Sequence, residues 1–318
     1  MKIVILDAYS VTQGDLDWSL LRTACHDADI SVYDRTAPAE VMARCADADV
    51  VLTNKVVLSA DIMRQMPRLK YVGVLATGYN VVDIDAARAL GICVTNIPSY
   101  STMSVAQMVF AHILNVTNSV AHYAARRSQW PSSADFMWMD TPLTELAGKS
   151  IGIYGLGAIG SAVMHIALAF GMNVLAVTSK DRDSLPAGVT PLSLEEMLPQ
   201  ADFITLHCPL TASTRAMINA ETLRAMRPTA VLINTGRGPL VDEQAVADAL
   251  SQNRLGAYCT DVLSTEPPRP DNPLLTAPRC YITPHIAWAT HEARERLIKI
   301  ATHNITAFME HRPVNCVS

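Results

Sequence analysis

Short, almost uninterrupted apolar runs alternate with longer amphipathic stretches along nearly the whole chain, and few architectures accommodate that pattern. The first series reads KIVILDA (2–8), ISVYD (30–34), DVVLT (49–53), YVGVLA (71–76) and ICVTN (92–96), with helical spacing in DIMRQMP and DIDAARALG between them. A strand that is apolar on both faces must be covered on both faces. Such strands separated by helices predict a parallel sheet between helical layers. A second series begins near residue 150 with SIGIYG, NVLAVT, ADFITLH, AVLINT, GAYCTDVL and CYITP, interleaved with amphipathic stretches such as IGSAVMHIALAFG and DEQAVADALSQN. Two series predict two α/β domains, and 318 residues at 50% hydrophobic content suffice for two cores. Residues 101–129 separate the series and carry the spacing of one long helix opened by Ser and Thr caps, so a domain crossing is expected there. Residues 290–312 are again helical in pattern and are expected to return to the first domain.

Charge bears on the partners. The net charge is −5 and the pI about 6.0, so nothing favours nucleic acid or an acidic membrane, which would want a basic face. No apolar run approaches the ~20 residues of a membrane span. The opening MKIVILDAYS reads as a strand and not as a signal peptide. The seven cysteines, Cys25, Cys45, Cys93, Cys208, Cys259, Cys280 and Cys316, are odd in number, scattered and free of CxxC spacing. They predict buried, reduced thiols in a cytoplasmic protein, with neither a disulfide framework nor a metal site.

The strongest local motif is IGIYGLGAIGSAV, where Gly155, Gly157 and Gly160 form G-x-G-x-x-G after a strand and at the opening of a helix. In that setting the first glycine allows a tight turn and the second lets backbone approach a pyrophosphate. The third lets helix and strand pack closely, with the phosphates at the helix N-terminus. Binding of a nicotinamide dinucleotide is the expectation. An NAD site wants an acid at the end of the next strand. There the chain has Thr178, Ser179 and Lys180, two hydroxyls and an ammonium that would accept a 2′-phosphate, so NADP(H) is favoured slightly over NAD(H). Asp181 could still serve the ribose, and an ordinary polar loop is the plainer reading.

Three further side chains stand at or shortly after strand ends of the same series, where open α/β sheets expose groups to ligands. Arg237, between two glycines in NTGRGPL, is either a solvated charge or a bidentate clamp for a carboxylate that also polarises a carbonyl. Glu266 precedes two prolines that fix its backbone, and Asp261 ends a strand on the expected nicotinamide side; each could equally be a turn acid. His285 follows CYITP. A lone histidine is more often a satisfied core residue, but a carboxylate beside an imidazole favours the protonated ring and makes a general acid near neutral pH. An arginine, an acid and a histidine beside a dinucleotide fit hydride transfer between nicotinamide and a 2-keto acid.

Six stretches together resemble the D-2-hydroxyacid dehydrogenase family over essentially the full length, and within it the glycerate dehydrogenase (hydroxypyruvate reductase) branch: GVLATGYNVVDIDAARALGICVTNIPSYST, GKSIGIYGLGAIGSAV, FITLHCPLTASTRAMI, LINTGRGPLVDE, DVLSTEPP and ITPHIAWAT. The resemblance implies two doubly wound parallel-sheet domains. One is a flavodoxin-like substrate domain of residues 1–100 plus 288–318, the other a Rossmann dinucleotide domain of residues 101–287. It implies His285 as acid/base, Glu266 as its orienting partner and Arg237 as the substrate clamp. Backbone amides of Ala76, Thr77 and Gly78 are implied to bind the substrate carboxylate. Cofactor contacts are implied at Ala158 and Ile159 in the glycine turn and at Cys208, Pro209 and Thr214 around the adenosine. Thr235, Gly236 and Asp261 would line the nicotinamide side. The long helix is implied to cross between domains and build a homodimer. The expected reaction is reduction of hydroxypyruvate or glyoxylate to D-glycerate or glycolate.

Two positions depart from the family pattern: Thr178, where NAD-using members carry an acid, and Met103, where a polar residue is common beside the cofactor. Trp288, in HIAWAT, matches the glycerate branch; pocket closure over a small hydroxylated substrate and core packing both remain open. The alternatives are another 2-keto acid, phosphoglycerate or a bulkier one, and a non-catalytic dinucleotide-sensing protein like the C-terminal binding protein corepressors. With no appended regulatory domain before Ser318, amino-acid feedback is not expected.

Overall fold

The computed structural model describes residues 1–318 and divides into two compact units. The first comprises Met1–Ser101 and Ala289–Ser318, the second Thr102–Trp288.

In the first unit, β1 (Lys2–Ile5), β2 (Asp29–Val32), β3 (Val50–Thr53), β4 (Tyr71–Val74) and β5 (Cys93–Thr95) form a parallel sheet of order β2-β1-β3-β4-β5. This is the flavodoxin-like order. Val4, Val51, Val72 and Val94 are register partners across four strands and make one buried stripe of the core. Two of the helices between them start where a polar side chain satisfies an open backbone N–H: Ser59 accepts from Ile62 and Asp83 from Ala86. The helix His291–Met309 completes this unit. Its Arg294 is 5% exposed, donates to the Thr12 carbonyl at 3.0 Å and pairs with Asp15 at 2.7 Å. Beyond the helix, Cys316 bridges antiparallel to Thr95 and so adds a short edge to β5.

In the second unit, β6 (Ser150–Tyr154), β7 (Asn173–Val177), β8 (Val189–Pro191), β9 (Phe203–Leu206), β10 (Val231–Asn234), β11 (Ala257–Thr260) and β12 (Cys280–Ile282) form a parallel sheet of order β12-β11-β10-β9-β6-β7-β8. The strand order reverses between β6 and β9, which is the Rossmann arrangement. Both faces are buried: Ile204, Leu232 and Tyr258 pack on one side and Ile233 and Cys259 on the other. That double coverage is why these strands read as continuous apolar runs.

Three expectations are corrected. The helix expected over 101–129 is Thr102–Asn118, a left-handed Ser119 (φ 49°), a short helix Val120–Ala125 and a 3-10 turn Arg127–Ser132. NVTNS is a run of weak helix formers, and the Thr117 carbonyl that should continue the helix accepts instead from Thr144 N–H. β8 was not anticipated; its three residues end in Pro191, which only an edge strand tolerates. Burial of every cysteine also fails: Cys316 is exposed on the added edge, and Cys93, Cys208 and Cys280 are half-buried. No helix is long and apolar enough to cross a membrane.

Candidate active site

The glycine turn after β6 assigns each glycine a distinct task. Gly155 has φ +98°, and a Cβ there would lie 2.8 Å from the His207 carbonyl oxygen, at the end of the neighbouring β9. A Cβ on Gly160 would lie 1.9 Å from the Gly155 carbonyl oxygen, so only glycine lets the helix Ala158–Ala169 pack on the turn. A Cβ on Gly157 would meet nothing within 4 Å. Gly157 also starts that helix without any side-chain cap, which leaves its first N–H groups open beside Ala158 and Ile159. At the end of β7, Thr178 Oγ1 accepts from Lys180 N–H at 3.2 Å. The Lys180 ammonium reaches back to Ser161 Oγ at 3.4 Å, on the first turn of the same helix. The loop after β9 is tied off by Thr214, whose Oγ1 donates to the Pro209 carbonyl at 2.7 Å, while Cys208 Sγ faces Met217 Sδ at 3.8 Å.

One strand further on, Thr235 follows β10 with its hydroxyl buried and unpartnered. Asn234, fully buried, staples the turn: its Oδ1 accepts from Gly236 N–H at 3.0 Å and its Nδ2 donates to the Arg237 carbonyl at 2.9 Å. Arg237 is exposed beyond that staple and donates to the Gly236 carbonyl at 2.7 Å. A Cβ on Gly238 would fall 2.0 Å from the Leu263 carbonyl carbon. That glycine therefore brings the Arg237 turn against the loop that carries Glu266.

Glu266 and His285 meet directly. Glu266 Oε2 lies 2.6 Å from His285 Nδ1, and Oε1 accepts from Leu263 N–H at 3.0 Å. A carboxylate can only accept, so the imidazole proton sits on Nδ1 and Nε2 is left to exchange a proton elsewhere. His285 itself has φ +55°, a left-handed conformation uncommon for a non-glycine residue. Asp261 holds it there. Its carbonyl accepts from His285 N–H at 2.8 Å, and its carboxylate, 2% exposed, accepts from Thr283 Oγ1 (2.6 Å), Ile286 N–H (2.9 Å) and Ala287 N–H (2.8 Å). Glu243 supports the other loop, accepting from Ser264 N–H at 2.7 Å and Asn272 Nδ2 at 2.8 Å. Asn234, Glu243 and Thr283 were not singled out from sequence. An Asn before Thr-Gly at a strand end is an Asx-turn signal for the first; the other two act across more than twenty residues, and no local pattern marks them.

Trp288 follows this turn and is half-buried, and Met103 is 59% exposed on the first turn of Thr102–Asn118. In the first unit, Ala76–Gly78 follows β4. Ala76 accepts from Ile97 N–H at 3.0 Å, Thr77 Oγ1 donates to the Ile97 carbonyl at 2.8 Å, and Asn96 Nδ2 donates to the Thr77 carbonyl at 2.8 Å. The backbone N–H groups of these three residues donate to no group of the protein.

The second unit's residues fit a dinucleotide. Gly157 leaves room for a pyrophosphate, the uncapped helix start offers it donors, and the buried Thr235 hydroxyl lacks a partner until a polar group reaches it.

Comparison with known proteins gives the family. Residues 108–287 match the D-isomer specific 2-hydroxyacid dehydrogenase, NAD binding domain family. The chain is 44% identical over 324 residues to a hydroxypyruvate reductase of Blautia hydrogenotrophica, covering 100% of both chains. It is 40% identical over 290 residues to a glycerate dehydrogenase of Methylorubrum extorquens, covering 90% of each. Among solved structures it superposes on an acyclic imino acid reductase in complex with NADPH and D-Arg, with a TM-score of 0.86, 29% identity and 100% of both chains covered. With its glycine turn, its strand-end acid–imidazole pair and relatives matched from end to end, the chain belongs to the D-isomer specific 2-hydroxyacid dehydrogenases, oxidoreductases that act on a CH–OH group with a nicotinamide dinucleotide.

Proposed function

We propose that the protein reduces hydroxypyruvate and glyoxylate to D-glycerate and glycolate, with His285 as general acid, and that it uses NADPH in preference to NADH. The observation that carries this reading is the 2.6 Å contact of His285 Nδ1 with Glu266, on the strand ends of the sheet that bears the glycine turn. A nicotinamide dinucleotide, when bound, supplies the hydride. His285 Nε2 delivers a proton to the carbonyl oxygen as the alcohol forms, and takes it back in the reverse direction. Glu266 holds the ring in the required tautomer and offsets its positive charge. The Arg237 guanidinium holds the substrate carboxylate bidentately and polarises the carbonyl. In the first unit, the three open N–H groups of Ala76, Thr77 and Gly78 are suited to a carboxylate. The names of the two curated relatives support the choice of substrates.

The NADPH preference rests on Thr178, Ser179 and Lys180. No acid stands at the end of β7, and the Lys180 ammonium reaches the first turn of the phosphate-binding helix. A 2′-phosphate would meet a cation and two hydroxyls there. NADPH in the related imino acid reductase structure supports the same reading. We further propose a cytoplasmic homodimer built around the helix Thr102–Asn118.

The test is initial-rate reduction of hydroxypyruvate and glyoxylate with NADPH and NADH side by side. Fast hydroxypyruvate turnover with NADPH supports the whole reading. A preference for NADH retains the reaction and overturns the cofactor assignment. Turnover of phosphoglycerate or a bulkier keto acid alone overturns the substrate assignment.

A further inference from the structure

We infer that Cys93 and Cys316 form a reversible disulfide, a modification site in the first unit that closes when the folded chain meets a low-molecular-weight disulfide of the glutathione class. Their sulfurs lie 3.6 Å apart although 223 positions separate them in the chain. A disulfide needs about 2.05 Å, so the sulfurs must still close by roughly 1.5 Å, through side-chain rotation together with a small shift of the chain around Cys316 toward β5.

Backbone pairing is what brings them together. Cys316 is the antiparallel bridge partner of Thr95, and Cys93 lies two residues back along β5, on the same face. Diagonal neighbours of this kind usually stand ~7–8 Å apart across an antiparallel pair, and here the two thiols turn toward each other until their sulfurs are in contact. The register is held by Val317 N–H to the Val94 carbonyl (2.9 Å), Asn96 N–H to the Asn315 carbonyl (3.2 Å) and Val94 N–H to Ser318 Oγ (3.0 Å). It is anchored further in. Asn315 Nδ2 donates to Asn304 Oδ1 at 2.8 Å, and the fully buried Asn304 donates to the Asn96 carbonyl at 3.0 Å. Folding has thus aligned the thiols before any oxidant arrives.

No other pair of cysteines has this arrangement. Cys25 and Cys208 face the sulfurs of Met309 and Met217. Cys259 and Cys280 sit on neighbouring strands, but Cys280 pairs with Tyr258, so the two thiols point to opposite faces.

Exposure sets the order of events. Cys316 is open to solvent and Cys93 is half-buried. Burial, and after it the neighbouring Cys316 sulfur, push the Cys93 thiol up to about 12. The Cys316 thiolate therefore attacks the reagent first. The reagent's S–S bond breaks, one half leaves as a thiolate, and the other half stays on Cys316 as a mixed disulfide. Cys93 then gives its proton to solvent and attacks the Cys316 sulfur, expelling the second half. Two protein thiols are oxidised and one reagent disulfide is reduced to two thiols. The product staples residues 315–318 to β5 and constrains the unfolded chain through a very long loop.

The experiment uses the full chain equilibrated in buffers of reduced and oxidised glutathione, quenched with acid, alkylated and mapped by non-reducing peptide mass spectrometry. The wild type should lose two of its seven thiols together. One cross-linked peptide should join Cys93 to Cys316, and the oxidised protein should melt several degrees above the reduced form. C93S should retain a glutathione adduct on Cys316, C316S should keep all its thiols, and neither should show the melting shift. A wild-type chain that keeps all seven thiols, or stops at a glutathione adduct on Cys316, overturns the inference. Keto-acid turnover is not read, so the result is independent of the proposed reaction.

Discussion

His285 Nδ1 and Glu266 Oε2 lie 2.6 Å apart, although the two residues follow different strands, β12 and β11, and are nineteen positions apart in the chain. The carboxylate's other oxygen is fixed by Leu263 N–H, so the imidazole is oriented by a group that is itself immobilised.

If that pair is the acid/base device, His285→Ala should fold, bind the dinucleotide and lose turnover by ~10²–10⁴. Glu266→Gln should lose less. The double variant should be no slower than His285→Ala, because residues acting as a unit are not additive. Steady-state kinetics of the three variants check this, and full turnover in His285→Ala removes the histidine from the reaction.

Arg237 extends past the Asn234 staple as the exposed side chain of its turn. Arg237→Lys keeps the charge and loses the planar fork, so KM for the keto acid should rise and kcat fall, together costing roughly 10²-fold in kcat/KM. A variant with unchanged kcat/KM would make Arg237 a solvated charge.

The glycine turn separates folding from binding. Gly157→Ala adds a methyl where nothing of the protein lies within 4 Å, so the melting temperature should hold while dinucleotide affinity falls. Gly160→Ala places a methyl 1.9 Å from the Gly155 carbonyl oxygen and should lower stability by about 1–3 kcal/mol through forced backbone displacement. Thermal melts with and without NADPH distinguish the two. Equal destabilisation would refute the division of roles.

Thr178→Asp places a carboxylate at the end of β7. Efficiency with NADPH should drop at least about tenfold, and the ratio of NADPH to NADH efficiency should invert, since like charges near a 2′-phosphate repel. An unaltered ratio argues that the segment 178–180 does not touch the ribose.

Burial pushes His207 down to about 4 from an ordinary 6.5. Between those values the unfolded chain binds a proton that the folded chain refuses. Stability is therefore complete above pH 6.5, declines as the pH falls toward 4 and levels off below it. Urea melts between pH 7 and pH 4.5 should show the wild type losing about 1–3 kcal/mol more than His207→Gln. Parallel curves would mean that the ring opens to water before the chain unfolds.

The strands were legible because double burial imposes unbroken apolar runs, and that signal is local. That Arg237, Glu266 and His285 follow strand ends of one sheet was legible for the same reason, and the structure places all three there. The turn at His285 was not. Its left-handed backbone is held by Asp261, more than twenty residues upstream, through three bonds to its carboxylate and one to its carbonyl. Asp261 was anticipated as a lining of the nicotinamide side, and its anchoring of the histidine turn depends on β11 lying beside β12. The helix break at Ser119 was missed for a similar reason, since the Thr144 N–H that captures the Thr117 carbonyl comes from a distant loop.

The discontinuous first unit has a consequence for how the chain is made. Residues 1–101 leave the ribosome before residues 102–288, yet the helix that buries Arg294 against Thr12 and Asp15 is translated after both. Residues 102–288 form a contiguous unit and can fold as soon as they emerge. At about 5–20 residues per second, the N-terminal sheet waits about 10–40 s for its closing helix. Completion thus runs against the order of synthesis: every residue of the second unit is made before the first unit receives its closing helix.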